Sequence, residues 1–123
     1  MLLAVTYIFR QRGINKIMAD GIYRDKKAVV IGGSTGIGLA AAKALVDAGA
    51  EVIVTGQSEK NMADARALLG ARAEVVGSDA SSLKDLAEIS GRAAEKFGKV
   101  DFVFLNAGYC LVEPFDQVTE ETY

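Results

Sequence analysis

The chain has 123 residues, 50% of them hydrophobic and 24% charged, with a formal net charge of −2. This is one domain of α/β-type composition, long enough to bury about two thirds of its unfolded surface; it excludes disorder and offers no basic stripe to a nucleic acid. Histidine is absent and cysteine occurs once, at Cys110, which removes Ser-His and Cys-His nucleophiles, a disulfide framework and most zinc sites, and suits a reducing compartment.

The first 19 residues stand apart. They hold no acidic residue, carry Arg10, Arg12 and Lys16, and open on the apolar run Met1 to Phe9. That run is far shorter than the roughly 20 residues of a membrane-spanning helix. Its positive charges follow it, whereas a secretory signal places them before. Such a leader fits an organellar targeting peptide or an upstream in-frame extension of a domain with a natural start at Met18-Ala19-Asp20. The extension is preferred, with residues 1–25 outside a domain that covers 26–123. A cytoplasmic location and no membrane partner are expected.

From Lys27 onward, short apolar runs alternate with helical patterns. Ala28–Ile31 reads as a first strand, and Gly36–Ala48 as an Ala-rich helix stopped by Gly49. Glu51–Thr55 is a second strand. Ser58 is placed to cap a second helix that runs to about Leu69 and is ended by Gly70. Ala73–Val76 is a short third strand. Ser82 and Asp85 have capping-box spacing, with Asp where Glu or Gln is usual, and open a third helix ending near Phe97-Gly98. Its expected inward face is Leu83, Leu86, Ala87, Ser90, Ala94 and Phe97. Val100–Leu105 is a fourth strand, apolar on both faces as a central parallel strand should be. Thr119, Glu120 and Glu121 suit the first turn of another helix, with acids where the helix dipole favours them. Strands alternating with helices imply right-handed crossovers and a parallel sheet. The expected fold is α/β, a doubly wound parallel sheet truncated after its fourth strand; for a Rossmann-type winding its order would be 3-2-1-4.

Between the first strand and the first helix stands Ile31-Gly32-Gly33-Ser34-Thr35-Gly36-Ile37-Gly38. A strand that feeds a glycine-rich turn into a helix start makes a phosphate cradle. Gly32 permits the tight turn, Gly36 lets a pyrophosphate approach bare backbone, and the helix start presents free N–H groups with partial positive charge. Gly38 lets the helix pack closely on the sheet. Ser34 and Thr35 can donate hydroxyls to a phosphate or to the helix N-cap. A purely structural glycine turn is the plain alternative, and the strand before and helix after favour nucleotide binding.

The spacing G-x-x-x-G-x-G resembles the short-chain dehydrogenase/reductase family, whose usual form is T-G-x-x-x-G-x-G; Ile31 stands where the Thr is usual. Two later segments extend the resemblance over residues 27–123. Asp79 after the third strand matches a family Asp that, with the backbone of the next residue, here Ala80, holds the adenine. Taken alone, Asp79 is an ordinary turn cap beside Ser78, Ser81 and Ser82. Asn106-Ala107-Gly108 resembles the family's N-N-A-G after the fourth strand, with Leu105 in place of the first Asn. Asn106 would fix neighbouring backbone, and Ala107 and Gly108 would leave room for the adenosine ribose.

The resemblance implies a dinucleotide cofactor and hydride transfer with a small carbonyl or alcohol substrate. At the end of the second strand, where an NAD-type fold carries Asp or Glu, Thr55-Gly56-Gln57-Ser58 has no acid until Glu59. An acid there would repel a 2′-phosphate, so its absence leans toward NADP over NAD. Gln57 donates hydrogen bonds but brings no charge where relatives use Arg. The family's Tyr, Lys, Ser and Asn of the reaction would all come after Tyr123, so no catalytic residue is assigned. Tyr23 and Lys27 match Y-x-x-x-K by spacing alone, ahead of the first strand. No metal ligands are assigned either. The expectation is the nucleotide-binding half of an NAD(P)(H)-dependent oxidoreductase, inactive by itself. The alternatives are a non-catalytic nucleotide-binding module, a fragment that assembles with a partner chain, or a gene remnant. Self-association through the open edge of the fourth strand is expected.

Overall fold

β1 (Lys27–Ile31), α1 (Gly36–Asp47), β2 (Glu51–Gly56), α2 (Glu59–Leu69), β3 (Ala73–Gly77), α3 (Leu83–Phe97) and β4 (Phe102–Leu105) follow one another along the chain. The computed structural model describes residues 21–108 together with Pro114, Asp116, Thr119 and Glu120. The leader up to residue 20, Cys110 and Glu121 of the turn expected to open a helix at Thr119–Glu121 lie outside the described residues. The four strands form one parallel sheet in the order β3-β2-β1-β4, as expected.

Period-two alternation along β1 and β2 divides the core into two layers. Ala28, Val30, Val52 and Val54 join Ala42 of α1 and Met62, Ala65 and Leu69 of α2. Val29, Ile31 and Ile53 join Ile89 and Ala93 of α3. Both faces of β1 and β2 are covered, and this is why these strands read as unbroken apolar runs. Ile53 is fully buried, which contributes roughly 1.5–3 kcal/mol for such a side chain. Ahead of β1, the turn Gly21–Asp25 lies against the same body. The Tyr23 N–H donates to the Ala48 carbonyl, and the Tyr23 ring meets Phe102 edge-on at 5.5 Å between centroids.

The structure departs from the sequence reading at several points. β2 extends to Gly56 because that residue still pairs with Gly77 of β3. A single 3-10 turn, Gly70–Arg72, joins α2 to β3. β4 starts at Phe102 rather than Val100; just ahead of it the Asp101 carboxylate accepts the Lys27 N–H at 3.0 Å. Its side chains from Phe102 to Leu105 are exposed among the described residues, not buried. The inward stripe of α3 is Ile89 and Ala93 with Phe97, whereas Leu83, Ala87, Ser90 and Ala94 are exposed. Ile89 and Ala93 meet the Val29, Ile31 and Ile53 side chains, and that packing rotates the helix away from the expected face.

The α3 cap also differs from a capping box. The Ser82 hydroxyl accepts the Asp85 N–H at 3.2 Å and donates to Asp85 Oδ1 at 2.9 Å. Asp85 Oδ2 accepts the Asp79 N–H at 2.8 Å, and the Ser82 N–H goes to the Asp79 carbonyl. The Asp85 carboxylate thus ties the helix start to the end of β3. The Asp79 N–H, and after it the Ser82 hydroxyl, hold this carboxyl below the usual carboxylate range. A carboxyl lowered in the fold stabilises it fully above its unfolded pKa, about 3.9, and loses that contribution as pH falls through the folded value. Asp85→Asn is expected to lower the thermal midpoint by several degrees at neutral pH. The difference should shrink progressively as pH falls below the ordinary carboxylate range, as followed by circular dichroism over a pH series.

Candidate functional site

A cleft of about 1080 Å³ opens at the carboxyl ends of the strands, where parallel α/β sheets bind their ligands. The β1–α1 turn supplies Gly32, Ser34, Thr35, Gly36 and Ile37; β2 supplies Thr55, Gly56 and Gln57; β3 and its turn supply Ser78 to Ser81; the segment after β4 supplies Asn106, Ala107 and Gly108. Every cofactor-binding candidate from the sequence lies on this cleft except Gly38, which is buried behind it. Thr55, Gly56, Ser78 and Ser81 are further lining residues that the sequence reading did not select. Their signal was position: each sits at or just past the carboxyl end of a strand.

The glycine turn is fixed by its neighbours. The Gly32 N–H donates to Thr55 Oγ1 at 3.0 Å, and the Gly33 N–H to the Thr55 carbonyl at 2.8 Å. Asn106 Nδ2 donates to the Gly32 carbonyl at 2.9 Å, and the N–H groups of Asn106 and Ala107 both reach the Ile31 carbonyl. Asn106 therefore pins the glycine turn to the end of β4. A Cβ on Gly32, whose φ is +76°, would lie 2.7 Å from the Ala107 backbone. One on Gly33 would lie 2.7 Å from Val54 Cγ1, and one on Gly38 2.3 Å from the Gly32 carbonyl oxygen. Gly38 thus serves the approach of α1 to the turn itself and to Asn106, rather than to the sheet as expected.

Gly36 is different. Its φ is +54°, and a Cβ there would meet nothing within 4 Å. It faces the cleft at the start of α1. The N-cap, Thr35, makes no side-chain capping bond, and the first turn of α1 holds no acid. Ser34 is buried and does not cap the helix either, so of the two uses open to these hydroxyls, a phosphate or the N-cap, the second is not made. A helix start left in this state is suited to an anion.

At the other end, Asp79 Oδ1 accepts the Ser81 N–H at 2.8 Å and the Ser81 hydroxyl at 2.7 Å. These two bonds, hydroxyl first, lower the Asp79 pKa, and the Gln57 amide adds to them across the cleft. Asp79 is therefore a turn acceptor and a cleft residue at once. Beside it the Ser78 hydroxyl is buried without a hydrogen-bond partner. Asp79 is the only charged side chain on the cleft among the described residues. Tyr23 and Lys27 lie at the amino end of β1, where Tyr23 meets Phe102 and Lys27 pairs with Glu51, away from the cleft. Among the described residues no cluster of His, Cys, Asp or Glu could hold a metal ion, and no helix is long and apolar enough to cross a membrane.

These contacts separate the two glycines of the helix start. Gly38→Ala forces a Cβ onto backbone and is expected to cost roughly 1–3 kcal/mol or more. Gly36→Ala meets no steric barrier and is expected to cost only about 1 kcal/mol, from its left-handed backbone. Urea unfolding of the two variants checks the order.

Comparison with known proteins agrees with this architecture. The sequence profile of the family described as short chain dehydrogenase matches residues 26–123. L-fucose dehydrogenase of Rattus norvegicus is 38% identical over 104 residues, covering 85% of this chain and 37% of that protein. A crystal structure described as a short-chain alcohol dehydrogenase from Sinorhizobium meliloti superposes with a TM-score of 0.69 at 36% identity, covering 80% of this chain and 40% of that one. For a short chain dehydrogenase from Bacillus anthracis the TM-score is 0.72 at 24% identity, a likeness of fold. The chain thus spans about two fifths of the length of the proteins it matches. On the profile match, with the sheet order and the glycine turn in agreement, the chain belongs to the short-chain dehydrogenase family.

Proposed function

We propose that the cleft holds the adenosine and pyrophosphate portion of NAD(P)(H), and that residues 26–123 are the nucleotide-binding part of an oxidoreductase acting on a small carbonyl or alcohol. The observation that carries this reading is the open face of Gly36 above an uncapped helix start, in a turn whose other glycines are closed off by protein. A pyrophosphate on the N–H groups of Thr35 to Gly38 would meet partial positive charge without a side chain in the way. The Asp79 carboxylate and Ala80 N–H are the acceptor and donor for an adenine edge. Ala107 and Gly108 leave the ribose its space, while Ser78 offers an unused hydroxyl near the same end. The bound nicotinamide would supply or accept the hydride. Gly56 and Gln57 bring no acid to the ribose, which favours NADP over NAD, and the absence of a cation among the described lining residues keeps that preference small. A cytoplasmic setting completes the reading, in keeping with the single cysteine.

Titration of 2′,5′-ADP and 5′-AMP into the folded chain tests it directly. Backbone NMR signals of Gly33 to Gly38 and of Asp79 and Ala80 are expected to move with either nucleotide. Unmoved signals at millimolar concentration would overturn the proposal.

The 123-residue polypeptide by itself is proposed to transfer no hydride. Among the described residues neither a Tyr nor a Lys lines the cleft, and positioned general acid catalysis alone is worth roughly 10²–10⁴-fold. The pure chain is expected to leave NADPH unoxidised in the presence of aldehydes and ketones. Turnover that is lost in Tyr23→Phe would contradict this.

A second reading, assembly with another copy or another chain, rests on β4. One edge pairs with β1, and among the described residues no strand lies along the other. Val103 is 61% and Leu105 76% exposed, and neither lysine nor proline blunts the strand, so it offers an apolar, unpaired edge. The 123-residue chain is expected to self-associate at tens of micromolar. Light scattering that finds a stable monomer, with freely exchanging β4 amides, would count against it.

A further inference from the structure

Gly56 closes β2 at the position from which an acidic side chain grips the ribose 2′-hydroxyl in NAD-type folds. Its own backbone does not demand glycine, since its φ is not positive. Space does. A Cβ on Gly56 would stand 2.3 Å from Ser34 Oγ, 2.6 Å from Ser34 Cβ and 3.3 Å from Met62 Cγ.

Neither side of this contact is free to withdraw. Ser34 follows directly on Gly33, whose N–H is bonded to the Thr55 carbonyl at 2.8 Å and where even an added Cβ would collide with Val30 and Val54. Rotating the Ser34 hydroxyl would leave its Cβ in place, still too close. Gly56 is held in register by Gly77, and its carbonyl accepts the Ser78 N–H at 2.9 Å. On the far side Met62 is buried.

We infer that Ser34 is a specificity-determining residue of the ribose subsite: its side chain fills the space from which a carboxylate at position 56 would reach the 2′-hydroxyl, so that Ser34 and Gly56 act as one coupled pair excluding an acid. The ligand half of this inference rests on the nucleotide reading above. The packing half does not.

Four chains test it: the unaltered one, Ser34→Gly, Gly56→Asp and the double variant, each followed by thermal unfolding and by NMR titration with 5′-AMP and 2′,5′-ADP. Gly56→Asp alone is expected to lower the melting midpoint and to weaken both nucleotides. The double variant is expected to recover most of the lost midpoint and to favour 5′-AMP over 2′,5′-ADP by about tenfold or more, from the like charge now beside the phosphate. The unaltered chain, with no acid at that place, should separate the two by only a few-fold. Gly56→Ala, which carries the clashing Cβ alone, shows the same coupling with Ser34→Gly in milder form should the aspartate variant not fold. A Gly56→Asp chain with an unchanged midpoint and its own preference for 5′-AMP would overturn the inference, as would a double variant no more stable than Gly56→Asp. Coupling in the melts with no nucleotide response from any of the four chains would overturn the ribose assignment together with the nucleotide reading.

Discussion

The backbone of Gly32 is held from both sides, its N–H by the Thr55 hydroxyl of β2 and its carbonyl by the Asn106 amide after β4. These two bonds draw the β1–α1 turn down between the strands that flank β1, and the absence of side chains at Gly32, Gly33 and Gly38 lets it settle there. A methyl at any of the three would touch backbone or a buried valine. Thr55 is almost fully buried, so losing the Gly32 N–H would leave a hydroxyl stranded in the core, a penalty of roughly 1–3 kcal/mol. The cleft exists because this one turn cannot rise.

From that constraint the electrostatics of the site follow. With the turn pressed onto the sheet, the first N–H groups of α1 face the cleft, and neither a capping hydroxyl nor a first-turn acid answers them. Among the described residues the only charged side chain on the lining, Asp79, stands after β3, on a separate strand end from the helix start. Its carboxyl is kept ionised at lower pH by the Ser81 hydroxyl and N–H. One end of the cleft is thus arranged for an anion and the other presents a hydrogen-bond acceptor, and the neutral stretch between them is made of Gly56 and Gln57. Asp85 links this arrangement to the fold, because the carboxylate that bonds the Ser82 cap also takes the Asp79 N–H. The start of α3 and the end of β3 are therefore one rigid corner.

Much of this was legible in the residues themselves. β1, β2 and their flanking helices announced themselves because both faces of each strand are apolar and because Gly49 and Gly70 mark the helix ends with positive φ. Parallel pairing and crossover handedness gave the α/β class, and the order 3-2-1-4 came with a Rossmann-type winding. The α3 face was misjudged since Leu83, Ala87 and Ala94 are as apolar as Ile89 and Ala93, and helical periodicity alone does not say which arc meets Val29, Ile31 and Ile53. The start of β4 was set by the Asp101 carboxylate bonding the Lys27 N–H, a contact between residues 74 positions apart in the chain. The Asp85 bond to Asp79 was hidden for a related reason: capping-box spacing points to the Ser82 N–H, which is already spent on the Asp79 carbonyl. In the glycine turn, spacing located all the participants, but only three dimensions separate Gly36, which faces open space, from Gly38, which faces backbone.

That separation bears on what a ligand would find. Most polar groups around the cleft already have protein partners: Thr55 with Gly32, Asn106 with Gly32, Asp79 with Ser81, Asp85 with Ser82. A ligand entering here would not have to assemble the site, and little ordering entropy would be set against its contacts. Among what the protein leaves unanswered are the N–H groups at the start of α1, the bare face of Gly36 and the Ser78 hydroxyl. These lie on the ends of β1 and β3, with Gly56 of β2 between them in the sheet. A molecule spanning them would pass over Gly56, where the side chain of Ser34 stands in the place a Cβ on that residue would need. The shape of the turn therefore decides two things together: an uncapped helix start opens onto the strand ends, and between it and Asp79 the end of β2 brings the backbone of Gly56 and the amide of Gln57, without a carboxylate.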